Sequence, residues 1–423
     1  MKKLAYLFST IGLAVLSLQA QAQTHRYMDR VFTQTEKTTD IIYASAIPDN
    51  STTAQDLKLD FYEPLNDTET ARPLVIALFG GSFISGSKEA DDIQAWCDSL
   101  AYTGYATAAI NYRIGFNFIT PGAIVRAGYR AVQDGKAAIR FFKEHADTYK
   151  IDTNQIFLIG NSAGAITALQ MGLAYDTYKP AEASGIPGST RDTEDLGDLN
   201  TSGNSYVYNT NVQGVVNLWG AFMSLEAIDT TKKTPLLSFH GDADYTVPID
   251  SGYAMGLESM PVLYGSRLIH HYLMNVNGQY TEMYVQPGLG HNYYYNNSTF
   301  PNNAHWGEML GITKNFLCRF NTKCDEAALA VTQPQLMMNA FQVFPNPAQN
   351  EVNIRINDNF NEVIGTQAQI NIFNINGQLM AQKEQTLENV FTISTADLSN
   401  GVYFVHILAQ NGAMSMEKLV IQK

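Results

Sequence analysis

The sequence predicts an α/β protein, with a mostly parallel sheet covered by helices on both faces, followed by a small all-β domain. Three observations carry this. Short continuous apolar runs alternate with stretches of helical spacing from residue 72 to 320. That rhythm belongs to parallel strands joined by crossover helices. From Phe341 onward the helical spacing stops, and strand-like runs follow one another between turn signals. A chain of 423 residues, 45% of them hydrophobic, is also long enough for two or three domains and too apolar for a disordered one.

The elements follow in order. Lys2 and Lys3, the apolar run 4–18 and Ala20-Gln21-Ala22 read as a secretory signal peptide over residues 1–22. The apolar run is shorter than the roughly 20 residues a membrane span needs, and no later segment reaches that length. DLKLDFY at 56–62 alternates apolar and polar residues and predicts an antiparallel edge. LVIALF at 74–79 is a strand buried on both faces. Residues 88–101 have helical spacing through Ile93, Trp96, Cys97 and Leu100. A second strand at 105–111, a helix at 124–142, a third strand at 156–159 and a helix at 163–175 come next. Residues 176–211 are rich in Asp, Gly, Ser, Thr and Asn and predict a long surface loop. The remaining expectations are strands at 212–218 and 235–239, a short helix at 255–260, a sixth strand within 271–284 and a closing helix at 306–320. Residues 326–340 read as a linker. Beyond it, runs at 352–356, 368–375, 390–393 and 402–408 are separated by Asn-Pro and Asn-Gly pairs, which predicts a β-sandwich over 341–423.

Composition narrows the function. The net charge of -13 leaves no electrostatic footprint for nucleic acid, and no polybasic stretch suits an anionic membrane. Charged residues are 16% of the chain, against about 25% in an average domain, as is common outside the cell. Cys318 and Cys324 are predicted to bridge, and Cys97 to be a buried thiol. No Cys/His set has zinc spacing, and Asp192, Glu194, Asp195 and Asp198 read as a solvated loop rather than a calcium site. No metal is expected.

The chemistry centres on Gly160-Asn161-Ser162-Ala163-Gly164, which follows the strand IFLI and opens a helix. In that setting a GxSxG run is a tight turn. It lifts the serine hydroxyl above the sheet edge, and the positions two before and two after it must lack side chains. A serine hydroxyl attacks only when a base takes its proton, and the base needs a carboxylate to orient it. On such a turn the chain order is serine, acid, histidine. Residues 239–248, FHGDADYTVP, offer Asp244 as the acid, with Asp242 and then Asp250 behind it. Gly288-Leu289-Gly290-His291-Asn292 offers His291 as the base, with His305 as substitute. His240 is expected to pack or hydrogen-bond locally. The oxyanion needs backbone donors: Ala163 supplies one, and the loop 79–83, Phe-Gly-Gly-Ser-Phe, the other. Phe83, Tyr293 and Tyr294 are candidates for substrate contact, with packing under a loop as the alternative for the tyrosines.

Residues 55–320 resemble secreted α/β-hydrolases of the carboxylesterase type, near the hormone-sensitive-lipase-like and carbohydrate-ester esterases. LDFYEP, FGGSFISGS, INYRIG, GNSAG, HGDADYTVP and GLGHN carry the resemblance. It implies an α/β-hydrolase catalytic domain over 23–325 that cleaves carboxylic esters through Ser162, His291 and Asp244, without a cofactor. In that family the first loop usually reads His-Gly-Gly-Gly. Here Phe79 and Ser82 depart from it, and by position Gly81 and Ser82 become the donors. The short connection after Leu218 holds no cap domain, which leaves the 176–211 loop to cover the pocket. Residues 341–423 are similar to a type IX secretion sorting domain, through FPNP at 344–347, IFNINGQ at 372–378, LSNGVYFVHI at 398–407 and the terminal KLVIQK. That implies export through the periplasm and outer membrane by the type IX machinery, to the medium or the cell surface. Such export favours acetyl or feruloyl esters of plant glycans as substrates. The rival readings are a lipid or polyester hydrolase, a peptidase, and a non-catalytic binding protein.

Overall fold

The computed structural model describes residues 25–49, 51–117, 120, 122–185, 194–277, 279–295, 304–324, 335–336, 340–357, 361, 363–374, 379–409 and 413–423. The signal-peptide segment lies outside them. The chain divides into two compact units, Met1–Cys324 and Asp325–Lys423.

In the first unit, β1 (Thr35–Ala46), β2 (Gln55–Pro64) and β3 (Arg72–Leu78) lead to α1 (Asp91–Ala101) and β4 (Ala106–Ile110). Then come α2 (Ala123–Glu144), the single turn α3 (Ala146–Tyr149), β5 (Ile151–Asn161), α4 (Ala163–Leu173) and the short α5 (Ala181–Ser184). The chain continues through β6 (Gly214–Leu218), β7 (Ala221–Phe222), β8 (Leu236–Gly241), β9 (Ser251–Tyr253) and β10 (Val262–Gly265). It closes with α6 (Ser266–Asn277), β11 (Thr281–Gln286) and α7 (Ala304–Phe320). The main sheet runs β1-β2-β4-β3-β5-β6-β8-β11. From β4 to β11 every pairing is parallel, and β1 and β2 form the antiparallel edge. β7, β10 and β9 form a small antiparallel sheet of their own.

β3, β4, β6 and β8 are buried along their whole length. Helices cover both faces, so every residue faces apolar neighbours, and the runs read as continuous rather than alternating. Each Val, Leu or Ile buried this way contributes roughly 1.5–3 kcal/mol. The strand order has a consequence for function. β3 pairs with β4 on one side and β5 on the other. The connections leaving β3 and β5 therefore diverge, and the crevice at their carboxyl ends is where ligands bind in such sheets.

Three expectations change. The stretch 255–260 is not a helix: a 3-10 turn at Ala254–Gly256 leads into β10. The stretch 271–284 holds most of a helix, α6, and the strand begins only at Thr281. The described part of 176–211 lies along α2 rather than over the crevice. Gln133 donates to the Leu196 carbonyl at 2.7 Å, Arg140 to Ser202 at 2.6 Å, and Lys136 pairs with Asp176 at 2.8 Å. This strap, together with Asp49 beside Arg130, explains why a helix carrying Arg126, Arg130, Lys136 and Arg140 is buried almost throughout: their charged ends are met by backbone carbonyls and carboxylates. Asp134 is structural, accepting from the Arg113 side chain and backbone N–H. Cys318 and Cys324 are bonded. Cys97 is free and buried, and burial pushes its thiol up to about 12.

In the second unit one sheet runs β12 (Gln335–Leu336), β19 (Ala413–Ile421), β18 (Gly401–Ala409), β15 (Gln367–Asn374) and β16 (Leu379–Thr386). The other runs β13 (Phe341–Phe344), β14 (Glu351–Ile356) and β17 (Val390–Ser394). All pairings are antiparallel except β12 with β19, which draws part of the stretch read as a linker into the sheet. Alternate residues such as Ile370, Val405 and Ile407 from one sheet and Val352 and Ile354 from the other fill one core.

The six-residue separation of Cys318 and Cys324 closes a short loop. On the chain-entropy account that bond stabilises by about 2 kcal/mol. Cys324→Ser is expected to lower the unfolding free energy by that amount in urea titration.

Candidate active site

The turn between β5 and α4 is built by exclusion. A Cβ on Gly160 would lie 2.4 Å from the Gly164 carbonyl oxygen, and one on Gly164 would lie 2.2 Å from that of Leu78. Only glycine fits at either place, as the motif predicted. Ser162 between them takes φ 51°, ψ -120°, and its N–H donates to the Leu218 carbonyl at 2.9 Å. Ser162 is 9% exposed, so its hydroxyl faces the crevice rather than bulk water.

His291 reaches this hydroxyl from the loop after β11. Its Nε2 is 2.9 Å from Ser162 Oγ, and its Nδ1 is 2.7 Å from Asp244 Oδ2. The three predicted side chains form one hydrogen-bonded line although 129 residues separate Ser162 from His291. Asp244 sits in the turn after β8, where its Oδ1 accepts the N–H groups of Thr246 at 2.8 Å and Val247 at 2.9 Å. Burial alone would raise its pKa. Hydrogen bonds from His240 and His291, the His291 charge and the Val247 N–H outweigh it and hold the carboxyl well below its usual range. The runners-up have other work. Asp242 accepts the Gly288 N–H at 2.6 Å, and Asp250 pairs with Arg267 at 2.8 Å. His305 stacks edge-on with Tyr293.

The loop after β3 carries three consecutive positive φ values: 119° at Gly81, 56° at Ser82 and 62° at Phe83. A Cβ on Gly80 would sit 3.1 Å from Ser162 Cβ, so this loop lies directly against the serine. Ser82 and Phe83 leave the right-handed region in succession, which turns the loop sharply beside the serine. Ala163 carries the first N–H of α4. Ser82, Ser162 and Ala163 line one pocket together with Phe83, Ile124, Ile166, Met223, Met255 and Leu263. It offers about 30 Å³, and no residue of 176–211 lines it among those described.

Tyr293 and Tyr294 are corrected. They are 1% and 0% exposed and do not line that pocket. Both rings pack against Trp219, with centroids 5.2 and 4.8 Å away. The Tyr294 hydroxyl donates to Asp92 Oδ2 at 2.6 Å. The same oxygen accepts from the Asn161 side chain. Asp92 thus joins the residue before the serine to the loop that carries the histidine. Burial pushes its carboxyl up. Trp219 (φ 47°) and Asp92 are absent from the sequence reading, Asn161 stands in its motif without a role, and His240 hydrogen-bonds locally as expected, to Ser266 and Val247. Trp219 has a local signal, a tryptophan and glycine directly after a buried strand. Among the described residues no cluster of His, Cys, Asp and Glu could hold a metal ion. None of the described helices is long and apolar enough to cross a membrane.

Parts of the chain are similar to known proteins. Residues 59–233 match the family described as BD-FAE, and residues 342–422 match the secretion system C-terminal sorting domain. Carboxylesterase 3B of Mus musculus is 31% identical over 112 residues, 26% of this chain and 19% of that protein. An acetyl esterase of Salmonella schwarzengrund (strain CVM19633) is 29% identical over 104 residues, 25% of this chain and 29% of that one. The chain spans about a fifth of the length of the first curated relatives it matches. Among solved structures, Thermogutta terrifontis esterase 2 phosphoramylated by tabun is similar at 20% identity and a TM-score of 0.46, over 67% of this chain and 94% of that one. The first unit has the α/β-hydrolase fold. The sorting domain marks the chain for export to the cell surface or beyond.

Tyr294→Phe removes a donor from a buried carboxyl, at a cost of about 1–3 kcal/mol. The urea midpoint is expected to fall accordingly; an unchanged midpoint would mean that the hydroxyl has no part in this packing.

Proposed function

We propose that the chain is an exported serine carboxylesterase acting on esters of short carboxylic acids. The line from Ser162 through His291 to Asp244, at 2.9 and 2.7 Å, carries the reading. His291 Nε2 takes the Ser162 proton as Oγ attacks the ester carbonyl. Asp244 accepts the Nδ1–H, which fixes the tautomer and stabilises the imidazolium that forms. Charge develops on the carbonyl oxygen, where the N–H groups of Ala163 and the 81–83 loop receive it. His291 then returns the proton to the leaving alcohol. Water, activated by the same base, frees the acyl group from Ser162.

Pocket size supports a short acyl group. The pocket beside Ser162 is small, about 30 Å³, and it is open on one side. An acetyl methyl suits it, and a larger acyl group would have to extend through the open side. The lining is mostly apolar, which favours an acyl chain without charge. The sorting domain supports delivery by the type IX machinery to the cell surface or beyond.

The test is hydrolysis of a series of aryl esters by the purified chain. Acetate and propionate are expected to give higher kcat/KM than octanoate or ferulate, and Ser162→Ala is expected to abolish turnover. Activity surviving in Ser162→Ala would refute the assignment. Met223 adds a second check: its Cε is 3.1 Å from where a Cβ on Gly128 would stand, so nothing larger than hydrogen backs it there. Met223→Ala should therefore deepen the pocket and move the acyl preference toward longer chains.

A further inference from the structure

His240 is fully buried at the end of β8, and the proposed mechanism gives it no task. Its ring nonetheless touches the carboxylate on which that mechanism turns. Nε2 lies 2.9 Å from the Val247 carbonyl oxygen and 3.3 Å from Asp244 Oδ2. Two acceptors at one ring nitrogen require that nitrogen to carry the proton. Nδ1 lies 2.7 Å from Ser266 Oγ, at the start of α6. In neutral His240 the Nδ1 accepts, and the Ser266 hydroxyl donates to it over this shorter contact in preference to the Gly220 carbonyl at 3.3 Å. Ser266 Oγ in turn accepts from Asn217 Nδ2 of β6 at 2.9 Å. The Asn217 amide is oriented by the Gly220 N–H, which donates to its Oδ1 at 2.8 Å. Asn217 and Ser266 are both fully buried.

We propose that His240 is a positioning residue for Asp244, the end of a buried chain Asn217–Ser266–His240 that fixes the carboxylate from behind. The inference rests on the esterase reading above. Asp244 then has four donors for its two oxygens: Thr246 and Val247 N–H at Oδ1, His291 Nδ1–H and the shared His240 Nε2–H at Oδ2. A carboxylate offers about four acceptor sites, so none is left to draw the group into another rotamer. His240 also holds the Val247 carbonyl, on the same turn that supplies the Oδ1 donors. One ring therefore pins both the turn and the side chain it presents to His291. β6, β8 and α6 each contribute one member, so the orientation is set by the core rather than by the loop.

The experiment compares His240→Leu, His240→Gln, Ser266→Ala and Ser162→Ala in the full chain. An aryl acetate is the substrate, and kcat is taken per folded molecule from the thermal melt. His240→Leu is expected to lose on the order of tenfold or more in kcat, short of the ~10⁴-fold for disabling the acid itself, with KM unchanged. His240→Gln keeps an amide donor and is expected to recover most of that loss. Ser266→Ala releases the tautomer and is expected to lower kcat in the same direction. It carries the test if the leucine variant does not fold. A folded His240→Leu with parental kcat, a glutamine variant as impaired as the leucine one, or a Ser266→Ala with parental kcat would each overturn the positioning role. Those results leave the esterase reading standing as long as Ser162→Ala is inactive. Activity in Ser162→Ala would overturn the esterase reading itself.

Discussion

Ser162 is held at φ 51°, ψ -120°, a conformation costing a non-glycine residue about 1–3 kcal/mol, and the surrounding structure leaves it no alternative. Gly160 and Gly164 have backbone atoms within 2.4 Å of where their side chains would begin. Leu218 of the neighbouring strand takes the Ser162 N–H, and the 80–83 loop closes over the other side. The sheet, buried on both faces, is what makes this crowding rigid. The Ser162 hydroxyl, the 80–83 loop and the N-terminus of α4 are fixed relative to one another before any ligand arrives, which is what electrostatic preorganisation of the proposed site requires.

A second constraint is polar. The crevice lies at the edge of an apolar core, where an unpaired polar atom costs about 1–3 kcal/mol. Two buried networks answer part of that demand and connect the parts of the site as they do so. Asp92 joins Asn161 to Tyr294, coupling the serine turn to the histidine loop. His240, Ser266 and Asn217 stand behind Asp244. Both connect elements far apart in sequence: 202 residues separate Asp92 from Tyr294. The short contacts of the proposed triad therefore rest on the core.

Much of this was legible in the sequence. A strand buried on both faces writes itself as a continuous apolar run, and LVIALF of β3 is legible on that ground. GNSAG was legible because its two glycines are demanded by close backbone contacts. Asp244 and His291 followed from their order after it. Other features were hidden for physical reasons. β1 is a polar edge strand, and its exposed first half, TEKTTD, carries no hydrophobic pattern. α6 was read partly as strand because SRLIHHYLMNVN has few strong helix formers, and its place is set by the sheet it covers. Tyr293 and Tyr294 sit beside His291 in sequence, but which way a loop side chain points is decided by what packs against it, here Trp219. The polar 176–211 stretch looked like a loop because its partners are the buried cations of α2, which one-dimensional reading cannot pair with it.

The central claim is that Ser162 is an activated nucleophile, and covalent labelling reads that property without presuming a substrate. The intact chain is treated with a fluorophosphonate probe, and the modified peptide is identified by mass spectrometry. The predicted result is a single adduct on Ser162, formed at a rate that collapses in His291→Ala while the fold is retained. An unlabelled Ser162 in the folded chain, or labelling indifferent to the loss of His291, would contradict it.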